Sequence, residues 1–224
     1  KKDYRNAFRQ VKALDKRLKE NGGRIYRLAE IAANDKDYDS AITAYDYIVA
    51  EKGHMSSYYI ESKRESLTCK RKKLVEGFDY TTEDLKILET EYESFLEEFG
   101  KRKSTATIVA ELADLEAFYL NDLDKAISLL QEMIEYRGLN RYILAKGKLS
   151  LADFYLMKGE VWESTLLYSQ VDKEFKQNEA IIRESLANYE EIKGVIRDIT
   201  IPDSQLRLVL YERFPDELER NLPE

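Results

Sequence analysis

The sequence predicts an all-α protein, an α-solenoid of stacked helical hairpins, and three observations predict it. Apolar residues recur at steps of three and four in every periodic segment. Glycine and proline, which punctuate strands and turns, number only nine and three in 224 residues, and the prolines at 202, 215 and 223 all stand near the C-terminus. A short pattern also repeats: Leu28-Ala-Glu-Ile31, Leu112-Ala-Asp-Leu115 and Leu151-Ala-Asp-Phe154 are each followed by a second amphipathic segment. A helical hairpin of this kind cannot bury its apolar face alone and needs stacked neighbours.

In chain order, Ala7, Phe8, Val11, Leu14 and Leu18 define a first helix, with Asn21-Gly22-Gly23 expected to supply the left-handed residue that ends it. A hairpin over 25–52 follows, with Ile25, Leu28, Ala29 and Ala32 on one helix and Ala41, Tyr45 and Ile48 on the next. The turn Asp35-Lys-Asp-Tyr-Asp39 alternates carboxylates as a calcium loop does. Ser40 and Asp46 stand where that loop needs glycine and a bidentate glutamate, so helix-terminal acids are the expected reading. After Gly53 the next hairpin is longer and less typical: residues 55–76 carry Tyr58, Tyr59, Leu67, Leu74 and Val75, a turn follows at Gly77-Phe-Asp-Tyr-Thr-Thr82, and Thr82 is expected to cap the next helix, along which Leu85, Leu88, Tyr92, Phe95 and Phe99 form a stripe.

Residues 104–136 restore the hairpin, but its small pair, Ala113 and Ala126, is thirteen apart. The turn Leu120-Asn-Asp122 is therefore expected to carry one extra residue. The clearest hairpin lies at 143–176, where two helices meet at Lys158-Gly-Glu160 and the small residues Ala152 and Ser164 are twelve apart, as are Ala29 and Ala41. Beyond it a break near Lys176-Gln-Asn178 is expected, then a helix over 179–199 and a last short one ending at Phe214-Pro215. The expected organisation is an array over 1–177 and a C-terminal helical segment, 178–224, that continues it or stands apart.

The small-small spacing, with aromatics such as Tyr38 three residues before Ala41, resembles the tetratricopeptide repeat (TPR). The stretch from Gly138-Leu-Asn-Arg-Tyr-Ile-Leu-Ala through Leu-Ala-Asp-Phe-Tyr to Trp-Glu-Ser-Thr-Leu-Leu-Tyr is similar to large uncharacterised TPR proteins of Bacteroidota bacteria. The first resemblance implies a non-enzymatic scaffold that binds a protein or peptide, or serves as a subunit of a complex. The second implies a bacterial, envelope-associated setting. In TPR proteins the residue after the small one of the first helix faces the groove. Here that residue is Glu30, Asp114 and Asp153, with Tyr26, Leu149 and Met157 as neighbours. These six are the expected partner contacts, and their acidity favours a basic or mixed apolar ligand over a C-terminal carboxylate.

Other classes are disfavoured by composition. A formal charge of −7 argues against a dedicated nucleic-acid surface. One cysteine, Cys69, and one histidine, His54, cannot assemble a Cys/His metal site, and no cofactor or metal is expected. No Walker loop or dinucleotide fingerprint occurs, and Ser-His-Asp or Cys-His chemistry would have to pass through His54, which sits in a turn. The chain is therefore read as no enzyme; the rival reading is a helical-repeat enzyme domain with carboxylate acid/base catalysis. No apolar run is long enough to span a bilayer. The single thiol fits bacterial cytoplasm or periplasm alike, and the start at Lys1-Lys2, without Met, fits a signal or lipid anchor lying upstream.

Overall fold

The computed structural model describes residues 3–77 and 80–175. The expected break at 176–178 and both C-terminal helices lie outside the described residues. Nine α-helices occur among those residues and no strand: α1 (Tyr4–Leu18), α2 (Gly23–Asn34), α3 (Tyr38–Tyr47), α4 (Tyr59–Gly77), α5 (Thr82–Phe99), α6 (Ala106–Leu115), α7 (Leu123–Ile134), α8 (Arg141–Lys158) and α9 (Val161–Phe175). Two compact units divide the chain, Lys1–Gly100 and Lys101–Glu224, a boundary the sequence reading does not contain.

In the first unit α2 packs on α1 and α3, and α3 packs on α4. Its core gathers Ile25, Ala29 and Ala32 of α2 with Ala41, Ala44 and Tyr45 of α3 and Ile48 beyond it. Ala29 and Ala41, the small pair, are both completely buried. In the second unit α6 packs on α7, α7 on α8 and α8 on α9. Ala113, Ala126, Ala152 and Ser164 are buried there too. A small side chain at each position lets paired backbones approach closely, which larger residues would prevent by overpacking.

Helix ends follow side-chain chemistry. Asp37 accepts from the Ser40 N–H at 3.2 Å, so the acidic turn is an N-cap. Asn140 accepts from the Tyr142 N–H at 2.8 Å and starts α8, and Gly159, at φ 85°, ends it. Two expected ends are corrected. The left-handed residue closing α1 is Lys19 (φ 52°), whose N–H reaches the Asp15 and Lys16 carbonyls. Gly22 (φ 92°) instead caps α2, where a Cβ would meet Ile48 Cγ1 at 3.2 Å. The cap of α5 is Thr81, not Thr82. Thr81 Oγ1 accepts from the Asp84 N–H at 3.2 Å and Asp84 Oδ2 accepts from the Thr81 N–H at 2.8 Å. Such a capping box needs an acceptor side chain three residues on. Thr82 would find Leu85 there.

The extra residue between Ala113 and Ala126 is also placed differently. It widens the end of the first helix into a π turn, Glu116–Leu120, after which Asn121 adopts the left-handed conformation (φ 58°). Asp122 then caps α7 by accepting from the Lys125 N–H at 2.9 Å. An i→i+5 turn holds one more residue than an α-turn, so a helix can absorb an insertion without lengthening the loop. The first unit has a π turn as well, Ile48–Lys52, at the end of α3.

Candidate partner-binding faces

In the first unit Tyr26 and Glu30 stand one turn apart on α2. Tyr58, just before α4, stacks on Tyr26 with ring centroids 5.0 Å apart and 29° between planes. Tyr45 of α3 meets the same ring edge-on at 5.5 Å. The placement of Tyr58 has a backbone cause. A Cβ at position 23 would lie 3.1 Å from the Tyr58 hydroxyl, so glycine at the start of α2 leaves room for that ring. Ser56 holds the approach to α4, its hydroxyl donating to the Asn21 carbonyl at 2.7 Å and accepting from the Tyr58 N–H at 3.1 Å.

Three carboxylates act on this aromatic group. Burial first, then Glu65, Glu30 and Glu61, push the Tyr26 hydroxyl up to about 12. Burial, with Glu65 next, also raises Tyr45. Glu61 and Glu65 share the Arg64 guanidinium, at 2.5 Å and 2.9 Å. Glu30 is exposed and has no basic partner among the described residues.

A second concavity of the first unit, about 490 Å³, lies between the end of α3, α4 and α5 over Val49 and Leu67. Lys70 Nζ there is 2.7 and 2.8 Å from the two Glu91 oxygens, the Ser66 hydroxyl donates to Asp46 at 2.6 Å, and Lys63 pairs with Glu98. His54 lies in a 3₁₀ turn, largely exposed, 3.7 Å from Glu98, which also accepts hydrogen bonds from Tyr59 and Lys63.

In the second unit the expected contacts fare unevenly. Met157 is about half exposed, at 49%. Asp114 is half-buried on α6. Asp153 accepts a hydrogen bond from the Tyr168 hydroxyl, which ties it to the α8–α9 packing. Leu149 is corrected outright: it is 2% exposed, in a core with Ala145, Ala152, Tyr168 and Val171. Its side chain lies toward α9, since Ala145, Leu149 and Ala152 form one stripe of α8 that packs with Tyr168 and Val171 of that helix. Tyr45, Tyr58 and Arg64 are members of the first-unit face that the sequence reading did not select. The Tyr58-Tyr59 doublet is the one visible hint of them.

No protein-family model matches the chain, and no curated protein matches it by sequence. Solved structures do. MamA from Desulfovibrio magneticus RS-1, residues 41 to the end, is similar with a TM-score of 0.55 at 16% identity, over 78% of this chain and 88% of that one. A double mutant of MamA RS-1 is similar with a TM-score of 0.52 at 14% identity, over 79% and 98% of the two chains. At such identities the likeness is one of fold. The fold class is the all-α, TPR-like helical solenoid.

Proposed function

We propose that the chain is a non-enzymatic protein-interaction scaffold, binding a protein partner through helix faces of its hairpins. The observation that carries this reading is the α2/α4 face of the first unit. Tyr26 and Tyr58, stacked on each other, are only partly buried at the edge of the core, beside the carboxylate of Glu30, which has no basic partner among the described residues. Tyrosine combines a large rigid apolar area with a polar tip, which suits an interface more than an idle solvated face. The TPR-like fold supports the same reading by analogy, because stacked hairpins generate extended surfaces for partners. In the second unit Asp114 and Met157 remain as candidate contacts, while Asp153 contributes through its bond to Tyr168. A bacterial complex near the envelope is the setting we favour, on the strength of the Bacteroidota-like sequence pattern alone.

The test is site-specific photo-crosslinking in native cells, with a benzophenone side chain installed at position 30 and, as control, at Glu97 on the exposed side of α5. A discrete protein adduct from position 30 and none from position 97 supports the reading. Absence of any protein adduct at 30, or the same adducts from both positions, overturns it.

A further inference from the structure

We infer that α9 is the docking face for a fourth copy of the hairpin's first helix, supplied by residues 179–194 of this same chain, with Lys193 lying on the indole face of Trp162. This goes beyond the scaffold reading and does not depend on it. The described residues supply the pattern. In each unit a second helix carries, two positions before its small residue, an aspartate that pairs with a lysine of the helix packed against it. Asp39, two before Ala41, is 2.6 Å from Lys73 of α4. Asp124, two before Ala126, is 2.9 Å from Lys158 at the end of α8, which also meets Glu160 at 2.8 Å. Each pair ties a hairpin to the helix that follows it.

In α9 the same position, two before Ser164, is Trp162. Its side chain is 47% exposed, and no ring or cation lies against it among the described residues. One turn on, Leu166 is 52% exposed where α3 and α7 carry the exposed Thr43 and Ser128. The third hairpin therefore keeps the position and changes its chemistry from charged to aromatic and apolar. A tryptophan in place of an aspartate still attracts a cation, through the negative face of its ring. The aliphatic stem of a lysine also covers apolar surface beside the ring while its ammonium stays in water.

The sequence supplies that lysine in register. Leu151-Ala-Asp-Phe-Tyr-Leu-Met-Lys-Gly159 is matched thirty-five residues on by Leu186-Ala-Asn-Tyr-Glu-Glu-Ile-Lys-Gly194. Leucine, alanine, lysine and glycine recur at the same places, Asn188 and Tyr189 stand for Asp153 and Phe154, and the step is close to the roughly 34 residues of a TPR hairpin. Lys193 thus takes the place of Lys158 as Trp162 takes that of Asp124. Val195 stands where Glu160 gives Lys158 its second carboxylate, which leaves Lys193 to the ring. Sequence distance favours the same chain over a second copy. Asp39 and Lys73 are thirty-four residues apart, as are Asp124 and Lys158, and Trp162 and Lys193 are thirty-one apart.

The experiment is NMR on the full ¹³C,¹⁵N-labelled chain, in which Trp162 is the one tryptophan. Nuclear Overhauser contacts between the Trp162 indole protons and the Lys193 ε-methylene are expected, with that methylene displaced upfield of the other lysines by the ring. Trp162→Leu should return it to their position. In a mixture of labelled and unlabelled chains the contact should arise within labelled molecules only. A Lys193 methylene that coincides with the other lysines, a displacement that survives Trp162→Leu, or a contact between labelled and unlabelled molecules overturns the inference. Should Trp162→Leu fail to fold, the indole–Lys193 contact in the natural chain decides alone, and its absence overturns the inference.

Discussion

Asp15 of α1 and Lys52 of the π turn after α3 form an ion pair, Oδ2 to Nζ at 2.5 Å, in which the carboxylate is completely buried. The other Asp15 oxygen accepts from the Gly22 N–H at 3.0 Å, and Lys52 also donates to the Glu20 carbonyl at 2.8 Å. One buried carboxylate therefore fixes the end of α1, the start of α2 and the π turn together. It also explains why α1 ends at Leu18, before the glycines: Gly22 is held to Asp15.

Asp15→Asn should destabilise the first unit by about 2–4 kcal/mol, because it leaves the Lys52 charge poorly compensated in a largely buried site. The double variant Asp15→Asn/Lys52→Met should recover part of that loss, since removing both charges also removes the desolvation cost. Urea denaturation of the two variants measures this; a double variant weaker than the single one would contradict it.

Ala152 and Gly147 test packing in the second unit. Ala152→Trp should cost about 1–3 kcal/mol by overpacking, since Ala152 is fully buried. A Cβ at Gly147 would overlap the Met133 terminal methyl, and Met133 is itself completely buried. Gly147→Val should therefore be destabilising, and Met133→Ala should lessen its effect. Strict additivity in that double-mutant cycle would show that the two side chains do not compete for space.

Alkaline titration probes the aromatic face. Tyr26 is raised from an ordinary value of 10.0 to about 12, by burial first and then by Glu65, Glu30 and Glu61. The folded state thus holds this proton more tightly than the unfolded chain. The stability linked to it is complete below pH 10 and is lost as pH rises from there through about 12. Tyrosinate absorbance should show a late-ionising class, and Tyr26→Phe should remove one member of it. Ionisation of Tyr26 with the bulk tyrosines would contradict the arrangement.

The α5 cap gives an acid-side counterpart. The Thr81 side-chain and backbone hydrogen bonds hold Asp84 below the usual carboxylate range. Its linked stability is present above the ordinary aspartate pKa and fades as pH falls through the folded value. In Thr81→Val the Asp84 titration should move up toward the ordinary value, and the acid limb of the melting curve should flatten. Carbonyl NMR of Asp84 reads the shift directly; no movement would mean that the cap does not form in solution.

The hairpins were legible because their determinants are local. The spacing of Ala29 to Ala41, or Ala152 to Ser164, reports how two helices cross, and periodicity reports which face they bury. Cap identity was harder by one residue: Thr81 and Thr82 are equivalent until the position of Asp84 is weighed. The candidate contacts were less legible, because exposure depends on tertiary neighbours. Leu149 and Met157 lie on one helix with similar apolarity, and only the approach of α9 buries the first and leaves the second. Asp153 reads as a free charge until Tyr168, fifteen residues on, is found to bond it. The first-unit face joins residues of α2, α3 and the start of α4, a combination without a period.

The π turn at Glu116–Leu120 also bears on how such a chain changes over generations. Inserting one residue into an uninterrupted α-helix rotates everything downstream by about 100°, which would turn a buried stripe toward water. Confining the added residue to one wide turn leaves Ala113 and Ala126 both buried. Loss of one codon within 116–120 would return this turn to ordinary α geometry and be absorbed where it occurs. The later hairpins keep their phase, and the protein tolerates there a kind of mutation that would be ruinous a single turn earlier.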